Sequence, residues 1–152
     1  MLDITIRPYN SSDYKYICEI HDASRKIELS MASLDEAFLP FAIAAEREDF
    51  FDYPHIDVAT VDGSIAAFSA YTDEELAWLY VSPKMLRKGI GKKLVEKVLE
   101  TEPNIKYIEA LYGNEPAKKL YESFGFRVQG LAKGVMPGNE SFQVEVYCMC
   151  RA

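Results

Sequence analysis

Gly89 and Gly91 stand in a short basic turn with Arg87, Lys88 and Lys92, directly after an uncharged apolar run and directly before an amphipathic one. Residues of these types at this spacing suit the binding of a phosphorylated ligand. Glycine lets backbone N–H groups close on an anion, and the first turn of a following helix adds unpaired donors at the positive end of its dipole. Ile90, between the two glycines, contributes a further backbone N–H. Against a formal net charge of -7, the basic turn is a local exception to an acidic chain. That balance, with no long basic block, argues against a nucleic-acid surface or an anionic-membrane patch.

A turn of this kind needs a strand to deliver it and a helix to follow. Leu76 to Val81 carries no charge and is rich in aromatic and branched side chains, the pattern of a strand buried on both faces of an α/β sheet, and Ser82 and Pro83 close it. Leu94, Val95, Val98 and Leu99 then recur at helical spacing. Upstream, Leu2, Ile4 and Ile6 alternate as a first strand ended by Pro8, and Asn10 to Ser12 offer caps to a helix with Tyr14, Ile17, Cys18 and His21 on one stripe. Ser33 followed by Glu36 predicts a capping box opening a second helix, which Pro40 kinks or interrupts. Asp62-Gly63 predicts a hairpin between strands at 56–61 and 64–71. Lys106 to Tyr112 reads as another strand. Asn114 caps a helix with Ala117, Leu120, Tyr121 and Phe124 inward, ended by Gly125. Val128 and the alternating set Phe142, Val144, Val146, Cys148 and Cys150 predict a closing antiparallel pair around a turn at 137–139, with both cysteines in the core.

The chain of 152 residues fits a single domain, 1–152, without repeats or linkers. Cys18, Cys148 and Cys150 form neither a disulfide framework nor a metal-type spacing, so no metal and a reduced, cytoplasmic setting are expected. The N-terminal stretch alternates instead of running apolar, and no apolar run approaches the roughly 20 residues that span a bilayer, so neither signal peptide nor membrane association is expected.

Two phosphate-binding motifs fail on single positions. A nucleotide-hydrolysing P-loop wants glycine where Leu86 stands and Ser or Thr where Lys93 stands. A dinucleotide fingerprint wants its third glycine at Leu94. The order of elements and two separate motifs instead resemble the GNAT superfamily of acyl-coenzyme A-dependent N-acyltransferases. Val81, Pro83, Gly89 and Gly91 match its pattern V-x-P-x-x-[QR]-x-x-G-x-[GA], with Leu86 in place of the usual Gln or Arg. Asn114, Ala117, Tyr121, Gly125 and Phe126 match N-x-x-A-x-x-x-Y-x-x-x-G-F.

The resemblance implies an α/β (α+β) fold, a central mixed, mostly antiparallel sheet of six to seven strands flanked by about four helices. It implies acetyl-CoA as acyl donor, held by Arg87, Lys88, Gly89, Ile90, Gly91 and Lys92 at its pyrophosphate, by the backbone of Leu79 and Val81 along its pantetheine arm, and by Asn114, which also reads as a helix cap. The implied activity is direct transfer of an acetyl group to a primary amine. Tyr121 is the implied proton donor to the leaving sulfur, with a core tyrosine as the plain alternative. Glu75 is the implied base working through water, with Glu74, Asp73 and His21 as competitors. Asp22, Glu28, Asp35, Glu36, Glu46, Glu48, Asp49 and Asp52 crowd the segment expected to face the acceptor, which favours a small cationic amine. A protein N-terminus or lysine is the alternative acceptor, and a non-catalytic acyl-CoA sensor is the alternative of another class. A homodimer is compatible with the fold.

Overall fold

The computed structural model describes residues 2–152. Strand β1 (Ile4–Pro8) leads through a 3-10 turn into helix α1 (Tyr14–Met31). Asn10 caps that turn by a reciprocal capping box with Asp13, whose carboxylate also holds Arg7 at 2.8 Å. Helix α2 (Phe41–Arg47) follows, then the antiparallel strands β2 (His55–Val61), β3 (Ser64–Tyr71) and β4 (Leu76–Val81), arranged as a four-stranded sheet in the order β1-β2-β3-β4. The β2–β3 turn forms at Asp62-Gly63 with positive φ at both residues, 51° and 87°, the backbone that matches strand twist.

Helix α3 (Ile90–Thr101), strand β5 (Tyr107–Leu111), helix α4 (Glu115–Glu122) and the long hairpin β6 (Arg127–Met136) and β7 (Asn139–Cys150) complete the chain. The last strands form a second, three-stranded sheet in the order β5-β7-β6. The two sheets meet at a single parallel bridge, Glu75 with Tyr107, and diverge beyond it. This is the expected mostly antiparallel seven-stranded architecture with four α-helices, split between β4 and β5.

Helices α1 and α2 cover one face, where Phe41 is wholly buried among the rings of Phe50, Phe68 and Trp78 at centroid distances of 5.0, 5.7 and 5.9 Å. Helix α3 packs Ile90 and Leu94 on the opposite face of β1–β4, and α3 and α4 share a cluster with β5 and β7 around Phe126 and Met149. Removing Phe41 leaves a cavity at the hub of the first cluster. Phe41→Ala is expected to cost about 3–5 kcal/mol in denaturant unfolding; a loss under about 1 kcal/mol would mean that the neighbouring rings collapse into the space.

Four local expectations are corrected. Ser33 opens no helix: it takes a φ of 58° in the turn ending α1, and only a 3-10 turn (Asp35–Ala37) follows. Pro40 then stands as the N-cap of α2 and interrupts nothing, because its missing N–H falls where a helix start needs none. Strand β4 is not buried on both faces, since Ala77 is exposed and Leu79 to Val81 are half-buried where β5 turns away. On β7 the fully buried residue is Met149, while Cys148 and Cys150 are half-buried on the other face. Among the described residues no helix is long and apolar enough to cross a membrane.

Candidate active site

The basic turn is built by two backbone reversals. Arg87 and Gly89 take φ of 63° and 78° before the chain enters α3 at Ile90. Glycine adopts this conformation freely, whereas Arg87 holds it against its own Cβ. Asn10 and Asn114 cap their helices with side-chain oxygens, but α3 starts on Gly89 with no side-chain cap among the described residues. Lys93 N–H donates to the Gly89 carbonyl at 3.1 Å, so the N–H groups of Ile90, Gly91 and Lys92 remain for an anion at the positive end of a twelve-residue helix. Arg87, Lys88 and Lys92 are exposed around them, while the Ile90 side chain is buried in the core. A Cβ built on Gly91 meets Leu120 Cδ2 at 3.3 Å and Val81 Cγ2 at 3.6 Å, so the absent side chain also lets α3 approach α4 and β4. These features fit a pyrophosphate.

Beside this turn lies the free edge of β4. Ser82 N–H donates to the Ala66 carbonyl of β3 at 2.8 Å. Because backbone groups alternate edges along a strand, those of Tyr80 and Trp78 face β3 and those of Val81 and Leu79 face the gap toward β5. That leaves main-chain donors and acceptors for an extended ligand arm to pair with as an added strand.

Asn114 closes the far side. Its Oδ1 accepts the Ala117 N–H at 3.2 Å and its Nδ2 donates to Glu28 at 2.9 Å. About two helical turns on, Tyr121 is 6% exposed. Burial, and then the charge of Glu28, push its phenol well above the ordinary value, so it stays protonated at neutral pH. Glu28 also accepts from Arg25 at 2.6 Å and from the Tyr80 hydroxyl at 3.1 Å, tying α1, β4 and α4 together. Burial opposes the Arg25 charge, but the carboxylate of Glu28 beside it outweighs that, and the guanidinium stays protonated. The sequence reading placed Glu28 in an acidic wall and missed this role; His21, Arg25 and Glu28 at helical spacing were the available signal.

The gap opens onto a cavity of about 210 Å³ whose lining includes His21, Glu28, Glu48, Trp78, Tyr80 and Glu109. The β6–β7 turn folds over it: Arg47 donates to the Gly138 carbonyl at 2.9 Å and Asn139 to the Ala37 carbonyl at 2.9 Å. Of the acids expected to face the acceptor, Glu28 and Glu48 line this cavity, and Asp22, Asp35, Glu36, Glu46, Asp49 and Asp52 do not. Glu48 is pushed up to about 7 by burial, with Arg25 opposing and Glu140 adding to the rise. Glu75 lies outside the lining, exposed at the start of β4. Its carboxyl is raised by partial burial and by the charges of Glu109 and Glu74. Glu109, which the sequence reading did not single out, reaches the cavity from β5 and accepts from the Tyr107 hydroxyl at 2.6 Å.

The family model of the acetyltransferase (GNAT) domain matches residues 47–128, more than half of the chain. The peptidyl-lysine N-acetyltransferase YiaC of Escherichia coli K12 is 34% identical over 68 residues, a match spanning 44% of this chain and 46% of that protein. Among solved structures, a GCN5-related N-acetyltransferase from Rhodopseudomonas palustris superimposes with a TM-score of 0.77 at 17% identity, covering 100% of this chain and 98% of the other. The yncA protein of Salmonella typhimurium, solved with acetyl-CoA, gives a TM-score of 0.68 at 19% identity over 96% of this chain and 91% of its own. At these identities the two structures speak to fold alone.

Proposed function

Since the chain belongs to the GNAT acetyltransferase family, we propose that it moves an acetyl group from acetyl-CoA to a primary amine by direct transfer. The observation that carries this reading is the split between β4 and β5. It brings together an uncapped, basic helix start, a free strand edge, the phenol of the largely buried Tyr121 and a cavity lined by Glu28, Glu48 and Glu109. Acetyl-CoA supplies an activated thioester carbonyl. Arg87, Lys88, Gly89, Ile90, Gly91 and Lys92 hold its pyrophosphate, the backbone of Leu79 and Val81 pairs its pantetheine arm, and Asn114 fixes the start of α4 beside it. Tyr121 gives its proton to the departing sulfur.

The acceptor in this reading is a small cationic amine. The cavity is small and is roofed by the β6–β7 turn, and Glu28, Glu48 and Glu109 outnumber its one arginine. The similarity to YiaC favours a second reading, with a lysine side chain of a peptide as acceptor. A panel of polyamines, amino acids and lysine peptides, followed by coenzyme A release, separates the two: small amines should give the lower KM, with the preference weakening as salt rises. Acetyl-CoA binding without release for any amine would leave a non-catalytic sensor. A cytoplasmic setting suits the enzyme, Cys18, Cys148 and Cys150 all being free thiols.

An alkylammonium of pKa about 10 must lose a proton before it can attack, and Glu75, exposed at the bridge where the two sheets meet, takes it through water. Glu75→Gln is expected to lower kcat/KM most at neutral pH and to recover partly as pH rises, because more of the amine is then already neutral. The raised carboxyl of Glu75 places the acid limb of the wild-type profile above the usual glutamate range. A mutant profile that overlays the wild type assigns this proton to another group, with Glu109 and Glu74 next.

A further inference from the structure

An ammonium that becomes an amide sheds two protons. The first leaves before attack, through water to the exposed Glu75 outside the cavity. The second leaves as the nitrogen–carbon bond forms, inside the cavity. Glu28 has both oxygens engaged there, by Arg25 and Tyr80 on one and Asn114 on the other. Glu109 already accepts from Tyr107, and Glu48 packs beside Gly138 under the hairpin turn.

His21 is different. It is 2% exposed, lines the cavity, and lies between the rings of Phe41, Trp78 and Tyr80 at centroid distances of 5.3, 6.0 and 5.0 Å. Its Nδ1 is 3.0 Å from Asp22 Oδ1, and the same oxygen accepts the Phe41 N–H at 2.8 Å where α2 begins. A carboxylate only accepts, so the hydrogen sits on Nδ1 and the lone pair on Nε2. Nε2 has no hydrogen-bond partner among the described residues. Burial lowers the imidazole below its ordinary value despite Asp22, so the ring enters the reaction neutral.

Resting on the acyltransferase reading, we propose that His21 Nε2 is the base that takes the second proton from the acceptor amine, with Asp22 as the positioning residue that holds its tautomer. The N–H proton passes to Nε2 as the nitrogen–carbon bond forms. The carbon–sulfur pair leaves on sulfur, which takes the Tyr121 phenol proton. Afterwards His21 releases its proton to water in the cavity and Tyr121 regains one. Besides Asp22, the charged or titratable groups around the ring are Arg25 and Glu28 on α1, Tyr80 on β4, and Glu48 and Glu109 across the cavity.

Imidazole ¹⁵N NMR on the wild-type protein tests this without turnover, using n-butylamine as the probe with coenzyme A present. The expected result is a neutral ring protonated on Nδ1, whose Nε2 resonance moves as the amine is added. A ring protonated on Nε2, or an Nε2 resonance that no concentration of amine moves, overturns the proposal. Asp22→Asn should raise the Nε2-protonated population; an unchanged tautomer removes Asp22 from the device. In kinetics, His21→Gln should lower kcat by ~10²-fold, keep acetyl-CoA affinity, and lose the limb along which wild-type kcat falls as pH drops through a value below the ordinary histidine pKa of about 6.5. Unlike the Glu75→Gln defect, this loss should persist at alkaline pH, and a folded His21→Gln with wild-type kcat overturns the assignment. A wild-type protein that binds acetyl-CoA and turns over no amine counts against the acyltransferase reading itself, while the tautomer and the amine titration still decide whether Nε2 receives an amine.

Discussion

Calorimetry on Gly91→Asp is expected to show no acetyl-CoA binding, whereas Gly91→Ala keeps most of the affinity. Any side chain at this position meets Leu120 Cδ2 at 3.3 Å, so the alanine variant measures the packing cost by itself, and a flexible leucine end can move by the few tenths of an ångström required. Aspartate adds a negative charge among the free N–H groups of Ile90, Gly91 and Lys92. In the first turn its carboxylate also competes for the donors and the positive helix end that an incoming phosphate needs. Both effects oppose an anion and neither needs unfolding. Wild-type affinity in a folded Gly91→Asp protein would move the pyrophosphate away from this turn. Arg87→Glu with Lys88→Glu gives an independent check, since it reverses exposed charge without touching the helix start. Its effect should shrink with added salt.

The second large effect is on the chemical step. Tyr121→Phe is expected to lower kcat by ~10²-fold or more with acetyl-CoA affinity nearly unchanged, because the ring still fills its place beside Phe126 while the proton is gone. The phenol is raised by burial and by the Glu28 charge, so its acid form persists past the ordinary value of about 10. Wild-type kcat should therefore show no descending limb from Tyr121 between neutral pH and that value. Wild-type kcat in Tyr121→Phe, with chemistry rate-limiting, would make Tyr121 a packing residue.

What was legible in the sequence was local. The strand, turn and helix around Gly89 and Gly91, the Asp62-Gly63 hairpin and the Asn114 cap each follow from backbone preferences of residues close in sequence, and such preferences survive folding when no tertiary contact opposes them. The failure at Ser33 has the same origin seen from the other side. Its capping-box spacing was sound, but α1 ends in a left-handed turn at that residue, and the carboxylate of Asp22 receives the Phe41 N–H and so sets the start of α2 beyond Pro40. The site divides in the same way. The glycine turn is one continuous segment and could be read from residue types alone, whereas the cavity is assembled from α1, α2, β4, β5 and the β6–β7 turn. Glu28 gains Asn114 across 86 positions of chain, and Glu109 reaches the cavity while Glu75, at the start of the central strand, does not. Side-chain direction across a gap between two diverging sheets depends on where the sheets part, and that is fixed by packing over the whole domain. The sequence by itself determined the glycine turn and the resemblance to the family; the tertiary structure alone decided which acids line the cavity and that His21 lies buried among aromatic rings with its Nδ1 held by Asp22.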